Sequence, residues 1–150
     1  MAKKFAKNFG ISLLVYFVIS LLGYVGIIFL VGQSAGPVPI WIETVLWLHV
    51  LISAASYFWL GTKLKLLGNH LLNFISVSGG IAFALLLVLL DSYALFFTII
   101  SFFWLYVLII DNIDNHYILY ILFFILLALP SLITWLGMVY QAKRNKRIGV

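Results

Sequence analysis

The chain has no cysteine and only four acidic residues, Glu43, Asp91, Asp111 and Asp114, among its 150 positions. Without cysteine there is no disulfide scaffold, no thiolate nucleophile and no thiolate metal site. Charged residues of both signs make up 9%, against about 25% in soluble domains, so polar side chains cannot clothe a water-facing surface around one core. Apolar residues instead reach 65%, aromatics 17%, and the mean hydropathy is +1.21. That balance excludes a soluble enzyme, a disordered chain and a coiled coil, and points to an integral membrane protein.

A helical span needs about 20 mostly apolar residues to cross about 30 Å of hydrocarbon. The hydropathy pattern predicts an all-α polytopic transmembrane bundle in one domain over residues 1–150, with five membrane-embedded helices near 11–31, 40–60, 70–90, 93–110 and 117–140. A basic segment, 1–10, precedes them and a basic tail, 141–150, follows. Gly32 to Pro39, with its glycines and prolines, reads as a turn outside the bilayer. Runs such as Ile118–Leu129 lack the period-two alternation of barrel strands, and in lipid each backbone amide of a helix is paired within its own segment. The first apolar run, behind Lys3, Lys4 and Lys7, is longer than the core of a cleaved signal peptide and is read as a retained helix.

Lysine and arginine in short loops are held on the cytoplasmic side. All nine basic residues fall before the first span, between spans two and three, or in Lys143, Arg144, Lys146 and Arg147. Four full crossings place all nine on one side, whereas five split them five against four. The pattern therefore predicts a cytoplasmic N-terminus, and it sets a common side for all nine basic residues against a segment count of five. One resolution makes a segment after His70 partial, either 93–110 or a re-entrant hairpin with Pro130 at its apex. The basic residues abut span ends, where they orient the chain and attract anionic headgroups, and form no nucleic-acid groove.

Trp41, Trp59, Tyr93, Tyr106, Tyr117 and Tyr140 fall near span ends, where an apolar ring with a polar tip suits the headgroup boundary. In the third segment Asn73, Ser76, Gly80, Ala84 and Asp91 share one stripe at 100° per residue, with a small-xxx-small repeat that lets helices approach closely. Ser20, Gly23 and Gly26 offer a second small surface. Ser131, Thr134 and Gly137 follow Pro130, where they can meet carbonyls that the proline frees.

Ionisable residues inside a membrane are costly and mark candidate sites. His49, Ser53 and Ser56 stack at i, i+4 and i+7, with Glu43 about 120° off that line. The bland account of His49 is a neutral imidazole bonded to a serine or carbonyl, since no carboxylate shares its face. Asp111, Asp114 and His116 are too few for a metal site, so no metal or other cofactor is expected. Ser53 with His49 is the one local nucleophile–base pair, and it lacks an orienting acid. No recognised catalytic or nucleotide-binding motif is present.

The Lys-rich start, the stretch Asn73-Phe74-Ile75-Ser76-Val77-Ser78 and the run Leu129-Pro130-Ser131-Leu132-Ile133-Thr134-Trp135-Leu136-Gly137 resemble uncharacterised small multi-pass membrane proteins of Gram-positive bacteria. The resemblance implies a bacterial plasma membrane and no particular activity. Three functions compete. The first is an accessory, binding or protective protein that packs against a larger membrane partner. The second is a homo-oligomeric transporter or channel using His49, and the third is an intramembrane lipid-acting enzyme. The expected partners are the lipid bilayer and a membrane protein, either different or a second copy.

Overall fold

The chain's three prolines stand at positions 37, 39 and 130, so no proline interrupts a helix between Ala2 and Val31. In a computed structural model, which describes residues 1–31, 40–89 and 116–148, α1 runs over Ala2–Val31 without a break. It starts nine residues before the apolar run at Ile11, because Ala, Lys and Phe are compatible with a helix and the amide of Asn8 finds partners on its inner face. Helix α2 covers Ile40–Lys63. Segments Ala2–Gly23, Ile40–Lys63 and Phe124–Arg147 are each long and apolar enough to cross a membrane. Among the described residues every regular element is a helix.

Between α2 and the next helix the chain turns through Gly68, whose φ of 104° is a left-handed conformation that favours glycine. Asn69 then caps α3, His70–Ser76, by accepting the Leu72 N–H at 2.7 Å. The third segment differs from the single helix expected over 70–90. It breaks at Val77 and Ser78, and α4 restarts at Gly79 and runs to Leu89. The cause is local. Ser76 and Ser78 hydroxyls donate back to Asn73 O and Ile75 O, both at 2.8 Å, and the amides of Val77 and Ser78 reach the third carbonyl back at 3.1 and 3.2 Å. These shorter bonds tighten the last turn, and two glycines follow that hold a helix poorly. The uniform 100° stripe from Asn73 to Ala84 is therefore two half-stripes, joined by the turn. The expected helix over 93–110, with Asp91, Asp111 and Asp114, lies outside the described residues.

Helix α5, His116–Ile148, is 33 residues long and passes through Pro130. A re-entrant hairpin at Pro130 is thus not what the chain forms, and the tail beyond residue 140 is helical to Ile148. Proline removes the bond that its own N–H would make to Leu126 O. The Thr134 hydroxyl donates to Pro130 O, 2.8 Å away, so it reinforces the proline's own carbonyl and not the freed one.

Helices α2 and α5 run side by side in the same direction, and they make the most extensive contact in the structure. At their crossing a methyl group on Gly61 would land on the Thr134 carbonyl, and one on Gly137 would land on the Phe58 carbonyl. Backbone meets backbone there. Where water cannot drive helices together, such close approach supplies the dispersion contact that holds them. Helix α1 lies antiparallel to α2 and parallel to α3 and α4. Asn8 meets Lys65 and Ser76, the Tyr16 and Tyr57 rings lie 6.4 Å apart, and Gly23 meets His49. The core joins Tyr16, Val50, Tyr57, Leu126 and Leu127, with a second cluster of Leu60, Leu64, Val77 and Met138.

These directions bring the start of α1, the end of α2 with its following loop, and the end of α5 to one end of the bundle. All nine basic residues stand there. Of the two distributions the charge pattern allowed, nine against none is the one the described helices form.

Gly61→Ala is expected to lower stability by about 1–3 kcal/mol, because a backbone carbonyl cannot move aside as a flexible side chain can. Gly10→Ala, with nothing within 4 Å of its added methyl, is expected to be neutral or stabilising by up to about 1 kcal/mol. Thermal unfolding midpoints of the two variants in the same detergent check this contrast.

Candidate functional site

Asn8, Ser12, Tyr16, Ser20 and Gly23 recur at steps of four, four, four and three, so they share the inward face of α1. All five are buried. Against them α2 sets Ser53 and Tyr57, each 1% exposed, and a half-buried His49. The result is a polar seam between two apolar helices, with different chemistry at its two ends.

At the basic end the seam is a hydrogen-bonded clasp. The Asn8 amide donates to Lys65 O at 2.8 Å and reaches the Ser76 hydroxyl at 3.5 Å. Ser76, fully buried, donates to Asn73 O, and Asn73 Oδ1 accepts the Leu67 N–H at 2.8 Å. A buried backbone group without a partner costs as much as a lost hydrogen bond. The two asparagines answer the backbone groups of a loop that has no regular structure of its own. Next to the clasp, Gly79 sits against Phe9 O and the side chains of Ser12 and Leu13, and Gly80 against the ring of Tyr16. The small residues of the third segment thus pack on α1 within this chain. Asn73 and Ser76 belong to the clasp, Gly80 to the helix contact, and Ala84 lies on α4.

Farther along, His49 lies over Gly23. A methyl group on Gly23 would come within 2.6 Å of His49 Nε2, so the missing side chain is what makes room for the imidazole. His49 Nε2 and Ser53 Oγ are 3.4 Å apart, a long hydrogen bond whose donor depends on the tautomer. Fourteen residues before Lys63 in α2, His49 stands about 21 Å along the helix from that end. Ser56 is half-buried on the same face. Glu43 is exposed in the first turn of α2, away from the seam. The structure therefore joins His49 to Ser53 and leaves Glu43 apart.

Between the two ends the Tyr16 hydroxyl is buried without a hydrogen-bond partner among the described residues. Among the described residues the pair at His49 has neither an orienting carboxylate nor a metal-ligating cluster beside it. Glu43 is the one acidic residue described, and no cluster of three His, Cys, Asp or Glu occurs among the described residues. An imidazole bonded to a serine at this distance can hold or pass a proton. Activating the serine as a nucleophile would require a third group to fix the ring.

Sequence reading singled out His49, Ser53 and Ser76 but missed Asn8, Ser12, Tyr16 and Gly61. The four-residue recurrence in α1 was the available signal, and it was hidden by treating residues before Ile11 as lying outside the helix. Comparison of the chain with models of protein families, with curated proteins and with solved structures finds no match in any of the three.

Asn73→Leu removes the acceptor for the buried Leu67 N–H and is expected to lower stability by about 1–3 kcal/mol. Asn73→Asp retains an acceptor there and is expected to lose less. Unfolding midpoints of both variants beside the unaltered chain check the order.

Proposed function

We propose that this chain is a multi-pass protein of a bacterial plasma membrane, with the start of α1 and the end of α5 both cytoplasmic. Its role in this reading is that of a small accessory or protective protein that packs against a larger membrane partner. The observation that carries the reading is the use of its interior. Gly23, Gly61, Gly79, Gly80 and Gly137 all face the chain's own helices, and the half-buried His49 packs against Gly23 and Ser53. What remains for a partner is the outer surface, where Trp47, Leu48, Leu51 and Ile52 on α2 are all exposed. The gathering of nine basic residues at one end supports the cytoplasmic assignment, since lysine and arginine are retained on that side.

A second reading, a small homo-oligomeric transporter or channel that uses His49, has one observation in its favour. The hydroxyls of Ser12, Tyr16 and Ser20 form a column along α1 toward His49, and that of Tyr16 lacks a partner among the described residues. Such a column could carry a proton if water entered it.

Crosslinking in native membranes, followed by affinity purification and mass spectrometry, separates the two. A different membrane protein in stoichiometric amount, still recovered with His49→Ala, is the expected result. Recovery of this chain alone, with a pH-dependent flux in liposomes that His49→Ala abolishes, would overturn the accessory role in favour of transport. The topology has its own test, made simple by the absence of cysteine. Single cysteines in place of Lys3 and Arg147 are expected to react with an impermeant thiol reagent in inverted vesicles and not in intact cells. Labelling of either in intact cells would contradict the proposed orientation.

A further inference from the structure

At the basic end, just beyond the crossing of Gly61 and Gly137, α2 and α5 diverge around a cavity of about 280 Å³ lined by Thr62, Lys63, Tyr140, Gln141, Arg144 and Asn145. Two cations, and among the described residues no acidic one, line it. The Lys63 ammonium is held 5.6 Å from the centre of the Trp59 ring. Gln141 Oε1 is buried and has no hydrogen-bond partner among the described residues. The site therefore offers positive charge for an anion.

The surroundings specify the rest of the ligand. One turn toward the centre of the bundle, Phe58 and Leu136 are exposed and apolar, and the Phe58 ring packs on Tyr140 with centroids 5.7 Å apart. A molecule seated here meets cations at its head and hydrocarbon-like surface below. We propose that this cavity binds the phosphate headgroup of an anionic phospholipid, its acyl chains lying along Phe58 and Leu136. Lys63 and Arg144 pair with the phosphate. Basic pockets between helices at the cytoplasmic boundary suit such headgroups. The proposal rests on the membrane reading above, and its position at the end of the tightest helix contact makes the bound lipid a wedge that spans α2 and α5.

The test uses the full chain reconstituted in phosphatidylcholine vesicles containing a minor fraction of phosphatidylglycerol, then extracted for native mass spectrometry. Retention of the chain in pure phosphatidylcholine vesicles tests the membrane reading separately. The expected result is one phosphatidylglycerol bound in excess of its share. Lys63→Gln and Arg144→Gln should each cut that enrichment about fivefold, and Arg144→Lys should keep most of it. A Lys3→Gln, Lys146→Gln double variant loses more net charge than either, all of it outside the cavity, and should keep the enrichment. Equal loss in that control, or no enrichment in a chain that is still embedded, would overturn the site. Complete displacement of the lipid by millimolar inorganic phosphate would overturn the lipid as occupant and make free phosphate the ligand.

Discussion

The rest of the structure depends on the contact between the backbones of α2 and α5 at Gly61 and Gly137. Because carbonyl oxygens stand where side chains would be, neither helix can slide or rotate without collision. That fixes their register. It sets Lys63 beside Arg144 and Tyr57 near Leu126 and Leu127, and it carries the end of α5 to the same end of the bundle as the start of α1. Between apolar helices in an apolar solvent, burial gives no net driving force, and shape has to supply what hydrophobicity supplies in water. Dispersion falls steeply with distance, so two glycines at one crossing count for more than a longer run of loosely packed leucines.

Helix α1 is held differently. Its inward face carries Asn8, Ser12, Tyr16, Ser20 and Gly23, and its contact with α2 is far less extensive than that of α5. Near the basic end it is pinned by hydrogen bonds to the loop and α3, with Trp135 binding α3 to α5 through a 3.1 Å bond from its indole N–H to His70 O. The loop Leu64–Asn69 keeps helical bonds only at its ends, from Leu64 N to Leu60 O and from Asn73 N to Asn69 O, and between them Lys65 O and Leu67 N–H draw on the side chains of Asn8 and Asn73. Polar side chains gather where the backbone leaves helical geometry, as expected where unpaired backbone groups are expensive.

What could be read in advance follows from the same physics. Hydropathy located the apolar cores of α1, α2 and α5 because length and composition decide whether a helix can cross hydrocarbon. It misplaced their ends, since Lys3 and Lys143 are as compatible with helix as with loop. Asn73, Ser76 and Gly80 from the stripe in the third segment are buried, but the 100° spacing gives no sign of the turn at Val77 and Ser78. Serine back-bonding competes with the helix only when neighbouring glycines weaken it, and one residue at a time gives no sign of that balance. Gly61 carried no pattern. Its importance comes from the partner helix, 76 residues away at Gly137, and no local rule encodes that pairing. The basic residues, by contrast, announced their common end, because charge is excluded from the apolar interior wherever the helices go.

The position of His49 distinguishes accommodation from activation. Asn8 and Asn73 sit where several backbone groups need partners, and each answers more than one neighbour. His49 lies farther along the seam, over a glycine that contributes space and one serine at 3.4 Å. A glycine beneath an imidazole relieves crowding but lends it no proton and no charge. For the ring to do chemistry, its second nitrogen would need an orienting group of the kind that fixes a catalytic histidine. The seam's hydroxyls approach it from the side of the basic end, with Tyr16 midway and without a hydrogen-bond partner among the described residues. The arrangement thus gives His49 room to exist beside apolar helices, with the hydroxyls of Ser12, Tyr16 and Ser20 set along α1 on the side of the basic end.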